Sequence, residues 1–107
     1  MQRFEHDLLT ASLGSQRHLV SFHYGEPGNG HKVYIQASLH AGELPGMLVA
    51  HHLRAALDAA DAAGQITGQV VLVPVANPLG LGQRLNHHVQ GRFDFDTSEN
   101  FNRHYPD

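Results

Sequence analysis

His40, Ala41, Gly42 and Glu43 place an imidazole and a carboxylate three residues apart on a segment that reads as a turn. The glycine between them lets the backbone fold tightly, so that both side chains can face one point. Histidine is the commonest protein metal ligand. Zinc accepts a set of two histidines and a glutamate, with a fourth position left open for chemistry. The chain has no cysteine, which excludes a thiolate site and leaves imidazole and carboxylate as the available donors. The same residue types are common in ordinary loops, so the four residues carry weight only in the right structural context. A second group lies late in the chain, where Asn102 and Arg103 set an amide beside a planar guanidinium. Such a pair can hold a substrate carboxylate, the guanidinium through two parallel hydrogen bonds. Arg84 and Arg92 are further cations in the same stretch. Alone, each would read as a solvated surface arginine.

The elements that must position these residues are legible from period changes. Residues 18–24 alternate, with Val20, Phe22 and Tyr24 on one face, and residues 32–38 alternate with Val33, Ile35 and Ala37 on one face. The turn chemistry between them, from Gly25 to Gly30, predicts a β-hairpin. Over 45–63 the apolar positions Val49, Leu53, Ala56, Leu57 and Ala60 form one helical stripe. Pro45 suits the first turn of that helix and Gly64 suits its C-terminal cap. Residues 69–75 are a nearly continuous β-branched run, which reads as a strand buried on both faces. Strand, helix and strand from 32 to 75 predict a right-handed βαβ unit. His40 and Glu43 then fall in the crevice at the C-terminal end of a strand, where open α/β sheets bind ligands. Asn77 to Gln83 reads as a turn, and no long element is expected from 84 to 107. An irregular tail of that length is uncommon in a complete fold.

Composition narrows the function classes. The 107 residues are 41% hydrophobic and 16% charged, enough for a modest core in one small domain or a piece of a larger one. No apolar run is long enough to span a membrane. Residues 1–7 are polar, with no secretory leader pattern, so a cytoplasmic location is expected. The formal charge of −3 argues against a nucleic-acid partner. The ten histidines are the unusual number. His51 and His52 fall within the helix and read as solvated or capping. The adjacent His87 and His88 would rarely converge on one ion. His6, His18, His23 and His31 read as strand or surface residues, and His104 sits beside Arg103.

His40-Ala-Gly-Glu43 after a strand, Asn77-Pro-Leu-Gly80 after the next strand, and Glu99-Asn-Phe-Asn-Arg-His-Tyr-Pro106 resemble one family in order and spacing. It is the succinylglutamate desuccinylase/aspartoacylase family, a branch of the zinc metallocarboxypeptidase-like hydrolases, and the resemblance runs from about Ser12 to the last residue. It implies a three-layer αβα fold with a mixed sheet, of which residues 1–107 are the N-terminal part. It implies one zinc ion per site, with His40 and Glu43 as the first two ligands. Asn102 and Arg103 match the pair that grips the substrate carboxylate. Arg92 matches the arginine that polarises the scissile carbonyl, with Arg84 as runner-up. Asn77-Pro78 resembles a structural turn at the edge of the site. The family's third zinc ligand and its general-base glutamate fall beyond residue 107.

The reaction so implied is hydrolysis of an amide bond next to a carboxylate, as in an N-acyl amino acid. The 107 residues alone are expected to be inactive. Alternatives are a metallocarboxypeptidase acting on peptides and a non-catalytic fragment that binds metal or carboxylate. A Rossmann-type or flavodoxin-like module is disfavoured, because residues 39–46 lack the G-x-G-x-x-G phosphate pattern. An open strand edge in a partial sheet favours self-association.

Overall fold

The computed structural model describes residues 1–9, 12–28 and 30–105. Four strands form one mixed sheet: β1 (Gln2–Asp7), β2 (His18–Gly25), β3 (Lys32–Gln36) and β4 (Gln69–Val73), in the order β1-β2-β4-β3. Helix α1 (Leu44–Ala62) connects β3 to β4, and these two strands run parallel. The βαβ unit expected from the sequence is therefore present. Beyond β4 come a one-turn helix α2 (Pro78–Gly82) and a short hairpin of β5 (Arg84–Leu85) and β6 (His88–Val89).

The helix begins and ends on the expected signals. A proline occupies its first turn. At the other end Gly64 takes φ +66°, Gly64 N–H donates to the Asp61 carbonyl, and Gln65 N–H donates to that of Ala60. This is the Schellman pattern, and it satisfies carbonyls the helix leaves without partners. Leu53, Leu57 and the buried Ala50 carry the contact with the sheet. Val49, expected in the stripe, is 65% exposed, so the buried face is centred closer to Ala50. Against it the sheet presents Phe22, Tyr24 and Leu72, flanked by Val20, Ile35, Ala37 and Val70. Leu72 lies level with Phe22 on one side and Ile35 on the other, and it is fully buried.

The expected hairpin between 18–24 and 32–38 does not form. β4 lies between them, antiparallel to β2 and parallel to β3. The physical reason is burial. Val71, Leu72 and Val73 are consecutive and all buried, so they need cover on both faces, which only a central strand receives. The turn chemistry after β2 is real, with Gly25 at φ +73°, and a Cβ there would lie 2.0 Å from the Gly68 carbonyl oxygen. That turn leads the chain past β4's position rather than straight back. β2 pairs on its other side with β1. Strands β3 and β4 also stop two residues earlier than expected. Ser38, at φ +61°, turns the chain out of the sheet.

Candidate metal and substrate site

The site starts where β3 ends. The Ser38 side chain is buried and donates to the Ala41 carbonyl at 3.3 Å, and Glu43 N–H donates to the His40 carbonyl at 3.0 Å. These two bonds close the turn that carries His40 and Glu43. Glu43 is the residue before α1, yet its side chain makes no capping bond to the helix. Its carboxylate is instead turned back toward His40, with His40 Nδ1 and Glu43 Oε1 3.2 Å apart. The His40 ring is 10% exposed and the Glu43 side chain 63%.

Two segments from the end of the chain wall this turn. In the first, Ala41 N–H donates to the Gly91 carbonyl at 2.9 Å. The contact is so close that a Cβ on Gly91 would meet Gly42 N at 2.6 Å. Next to Gly91, Arg92 Nη2 donates to Glu43 Oε1 at 3.1 Å. In the second, His40 Nε2 donates to Asn100 Oδ1 at 2.7 Å, and Asn102 N–H donates to the same oxygen at 2.9 Å. A cleft of about 770 Å³ opens here, lined by residues 36–40 and 42–46 together with Asn102 and Tyr105.

Of the residues singled out from the sequence, the structure brings together His40, Glu43, Arg92 and Asn102. Arg84 lies on β5 and lines neither this cleft nor the smaller one beside Arg92, which separates it from Arg92. The Arg103 side chain stays outside the cleft, its Nη1 donating to the Asn102 carbonyl at 2.6 Å. Asn77 is the expected structural turn. Its Oδ1 accepts Gly80 N–H at 2.8 Å, and its Nδ2 donates to the Leu39 carbonyl at 3.0 Å, tying α2 to the residue before His40.

Sequence reasoning missed three residues. Tyr105 lines the cleft and donates its hydroxyl to Asn102 Oδ1 at 2.6 Å. Gln83, buried, holds the first wall, the segment around Gly91 and Arg92: its Nε2 donates to the Gln90 and Phe93 carbonyls at 2.8 and 2.7 Å, and its Oε1 accepts Phe95 N–H at 2.9 Å. Asn100 contacts His40 directly; its position two residues before Asn102 was the available signal, since asparagine side chains often accept the N–H two residues on.

The donor set fits a zinc ion in part. Two ligand atoms on a tetrahedral zinc, with bonds of about 2.0–2.1 Å, stand about 3.4 Å apart. His40 Nδ1 and Glu43 Oε1 are 3.2 Å apart. With Nε2 as the donor to Asn100, a neutral His40 ring presents a bare lone pair at Nδ1. Two acceptors then face each other, an arrangement a cation between them would relieve. Among the described residues no group of three or more His, Cys, Asp or Glu could hold a metal ion, so no third such side chain accompanies His40 and Glu43 there.

The family model of the succinylglutamate desuccinylase/aspartoacylase catalytic domain matches residues 29–107. The chain belongs to this family. A crystal structure from Shewanella amazonensis SB2B, of a protein assigned to the family, matches 100% of the chain with 34% identity and a TM-score of 0.85. Another, from Shewanella frigidimarina NCIMB 400, matches 99% with 31% identity and a TM-score of 0.84. The chain spans 28% of the length of each. No curated protein matches it significantly. The match over the whole chain accords with the mixed α/β sheet and its single long helix. No helix among the described residues is long and apolar enough to cross a membrane.

Proposed function

We propose that this chain supplies the first two metal ligands and the substrate-facing loop of a zinc-dependent hydrolase that cleaves an amide bond next to a carboxylate, as in an N-acyl amino acid. The observation that carries the reading is the convergence of His40 Nδ1 and Glu43 Oε1 at 3.2 Å on the wall of a cleft that Asn102 also lines. A zinc ion held there would act as a Lewis acid, polarising the carbonyl and lowering the pKa of a water.

The chain's own groups have separate tasks. His40 and Glu43 hold the ion, and burial of the His40 ring fixes one ligand before binding. Arg92 stands against Glu43 with its side chain 56% exposed, leaving N–H groups that can meet the oxygen on which charge develops. A donor so placed contributes about 3–4 kcal/mol to the transition state. Asn102 lies across the cleft and orients the substrate carboxylate, with Tyr105 braced against its amide. Arg103 joins it only by leaving the Asn102 carbonyl, a rotation open to an exposed side chain. Fixing one end of the substrate holds the amide bond near the ligand turn.

In this proposal the third ligand and the proton acceptor come from chain beyond these residues. General-base help is typically worth about 10²–10⁴-fold, so the 107 residues alone are expected not to turn over. The test is hydrolysis of N-acetyl and N-succinyl amino acids by a chain extended to the length of the matched structures. Activity that is lost with a chelator, restored by zinc and abolished by His40→Ala supports the reading. Activity that survives His40→Ala overturns it, and cleavage confined to peptides moves the substrate class to that of a metallocarboxypeptidase.

A further inference from the structure

We propose that Asn100 is a positioning residue that selects the tautomer of His40, keeping the proton on Nε2 and the Nδ1 lone pair free for the metal; this rests on the hydrolase reading above. The two ends of an asparagine amide are alike in shape, so their assignment must come from the partners. Here one partner decides it. A backbone N–H can only donate, and Asn102 N–H lies 2.9 Å from the Asn100 side chain, so the oxygen faces it. The same oxygen lies 2.7 Å from His40 Nε2, which must therefore be the donor. A neutral imidazole carries one N–H, so Nδ1 is left bare.

The competing tautomer is not negligible. With the proton on Nδ1, His40 would donate to the Glu43 carboxylate, and hydrogen bonds to charged groups are about twice as strong as neutral ones. Two features oppose it. The distance to Asn100 is shorter, 2.7 Å against 3.2 Å, and in the competing form two lone pairs would meet there. Asn100 Oδ1 is also anchored by Asn102, whereas the Glu43 side chain is 63% exposed and already receives Arg92. Water and Arg92 can satisfy Glu43; the Asn100 oxygen cannot withdraw without breaking its own turn. The Nε2–H form prevails, and one oxygen atom thereby links the metal ligand to the backbone of the substrate loop.

The test reads the tautomer itself, in the metal-free protein at a pH where the ring is neutral. Two-bond ¹H–¹⁵N spectra report which ring nitrogen carries the proton, with His40 assigned by the signal lost in His40→Gln. The wild type is expected to be Nε2–H. Asn100→Leu removes the acceptor and is expected to invert His40 to Nδ1–H, paired with Glu43. Asn100→Ser keeps the local turn through its hydroxyl but is too short to reach His40, and it should invert as well. Asn100→Asp keeps the acceptor and the Nε2–H form. Zinc affinity, measured by competition with a chromophoric chelator, should fall about 10–100-fold in the Leu and Ser variants and hold in the Asp variant. An Nδ1–H wild type, or an unchanged Nε2–H form in Asn100→Ser with the sheet amide spectrum intact, overturns the assignment. If the tautomers behave as expected but the wild type, extended to the length of the matched structures, binds no zinc, the metal reading fails and the Asn100 assignment stands.

Discussion

Gly91→Ala is the sharpest structural perturbation of the site, because its sign is in question. Replacing glycine by alanine at an unstrained position usually stabilises by about 0.4–1 kcal/mol, since the unfolded chain loses freedom. Gly91 is not in the left-handed region, so the backbone itself would accept the change. The neighbours would not. A Cβ at Gly91 would lie 2.6 Å from Gly42 N, 2.8 Å from Ala41 Cβ and 2.9 Å from Ala41 N. To reach ordinary contact at 3.4 Å, the two segments must part by about 0.8 Å. Two of the three atoms are backbone in the His40–Glu43 turn, so no side chain can swing aside. The Ala41 N–H to Gly91 carbonyl bond, 2.9 Å long, would stretch beyond hydrogen-bonding range. Its loss costs about 0.5–1.5 kcal/mol, and overpacking of this kind about 1–3 kcal/mol. After the unfolded-state gain, a net destabilisation of about 1–4 kcal/mol remains. Urea denaturation measures it as a lower midpoint at unchanged slope. A neutral or stabilised variant would refute the claim that the Arg92 segment is packed hard against the His40–Glu43 turn.

Three further outcomes are expected. Leu72→Ala, at a fully buried position between β2 and β3, should cost about 2–5 kcal/mol in the same urea assay; a loss under 1 kcal/mol would contradict its place at the centre of the core. Arg92→Ala in the zinc-loaded, extended enzyme should lower kcat by about 10²–10³-fold with zinc affinity little changed, whereas Arg84→Ala should leave kcat alone. Burial, followed by the charges of Lys32 and His6, holds His23 below its ordinary 6.5. The unfolded chain therefore takes up this proton at higher pH than the fold does, and stability falls as pH drops below about 6.5 toward the folded value. His23→Gln should flatten that slope, and an equally steep fall in the variant would show that another group is responsible.

The βαβ unit was legible because its signals are long: a helical stripe closed by Gly64 at one end and an unbroken apolar strand at the other. The hairpin expectation failed at the point where local chemistry yields to burial. A Gly/Pro/Asn turn says that the chain reverses there, not which strand will lie beside it. β1 was invisible because Gln2 to Asp7 are all exposed, so no apolar alternation marks an edge strand whose value lies in its hydrogen bonds to β2. The β5–β6 hairpin has two-residue strands, too short for any period. Its turn, Asn86-His87, takes positive φ at both residues without the usual glycine. In the site, His40 and Glu43 were readable as a motif because the turn that joins them is local. The contacts of Asn100 and Gly91 with that turn span about half the chain, and no spacing rule encodes them.

The most direct measurement is anomalous diffraction at the zinc edge from crystals grown with the metal. The expected result is one strong peak about 2.0–2.2 Å from His40 Nδ1 and a Glu43 carboxylate oxygen, with His40 Nε2 still on Asn100. Zinc bound through His40 Nε2, or found only at surface pairs such as His51/His52 or His87/His88, would contradict the assignment of His40 and Glu43 as the metal-binding half of a hydrolase site.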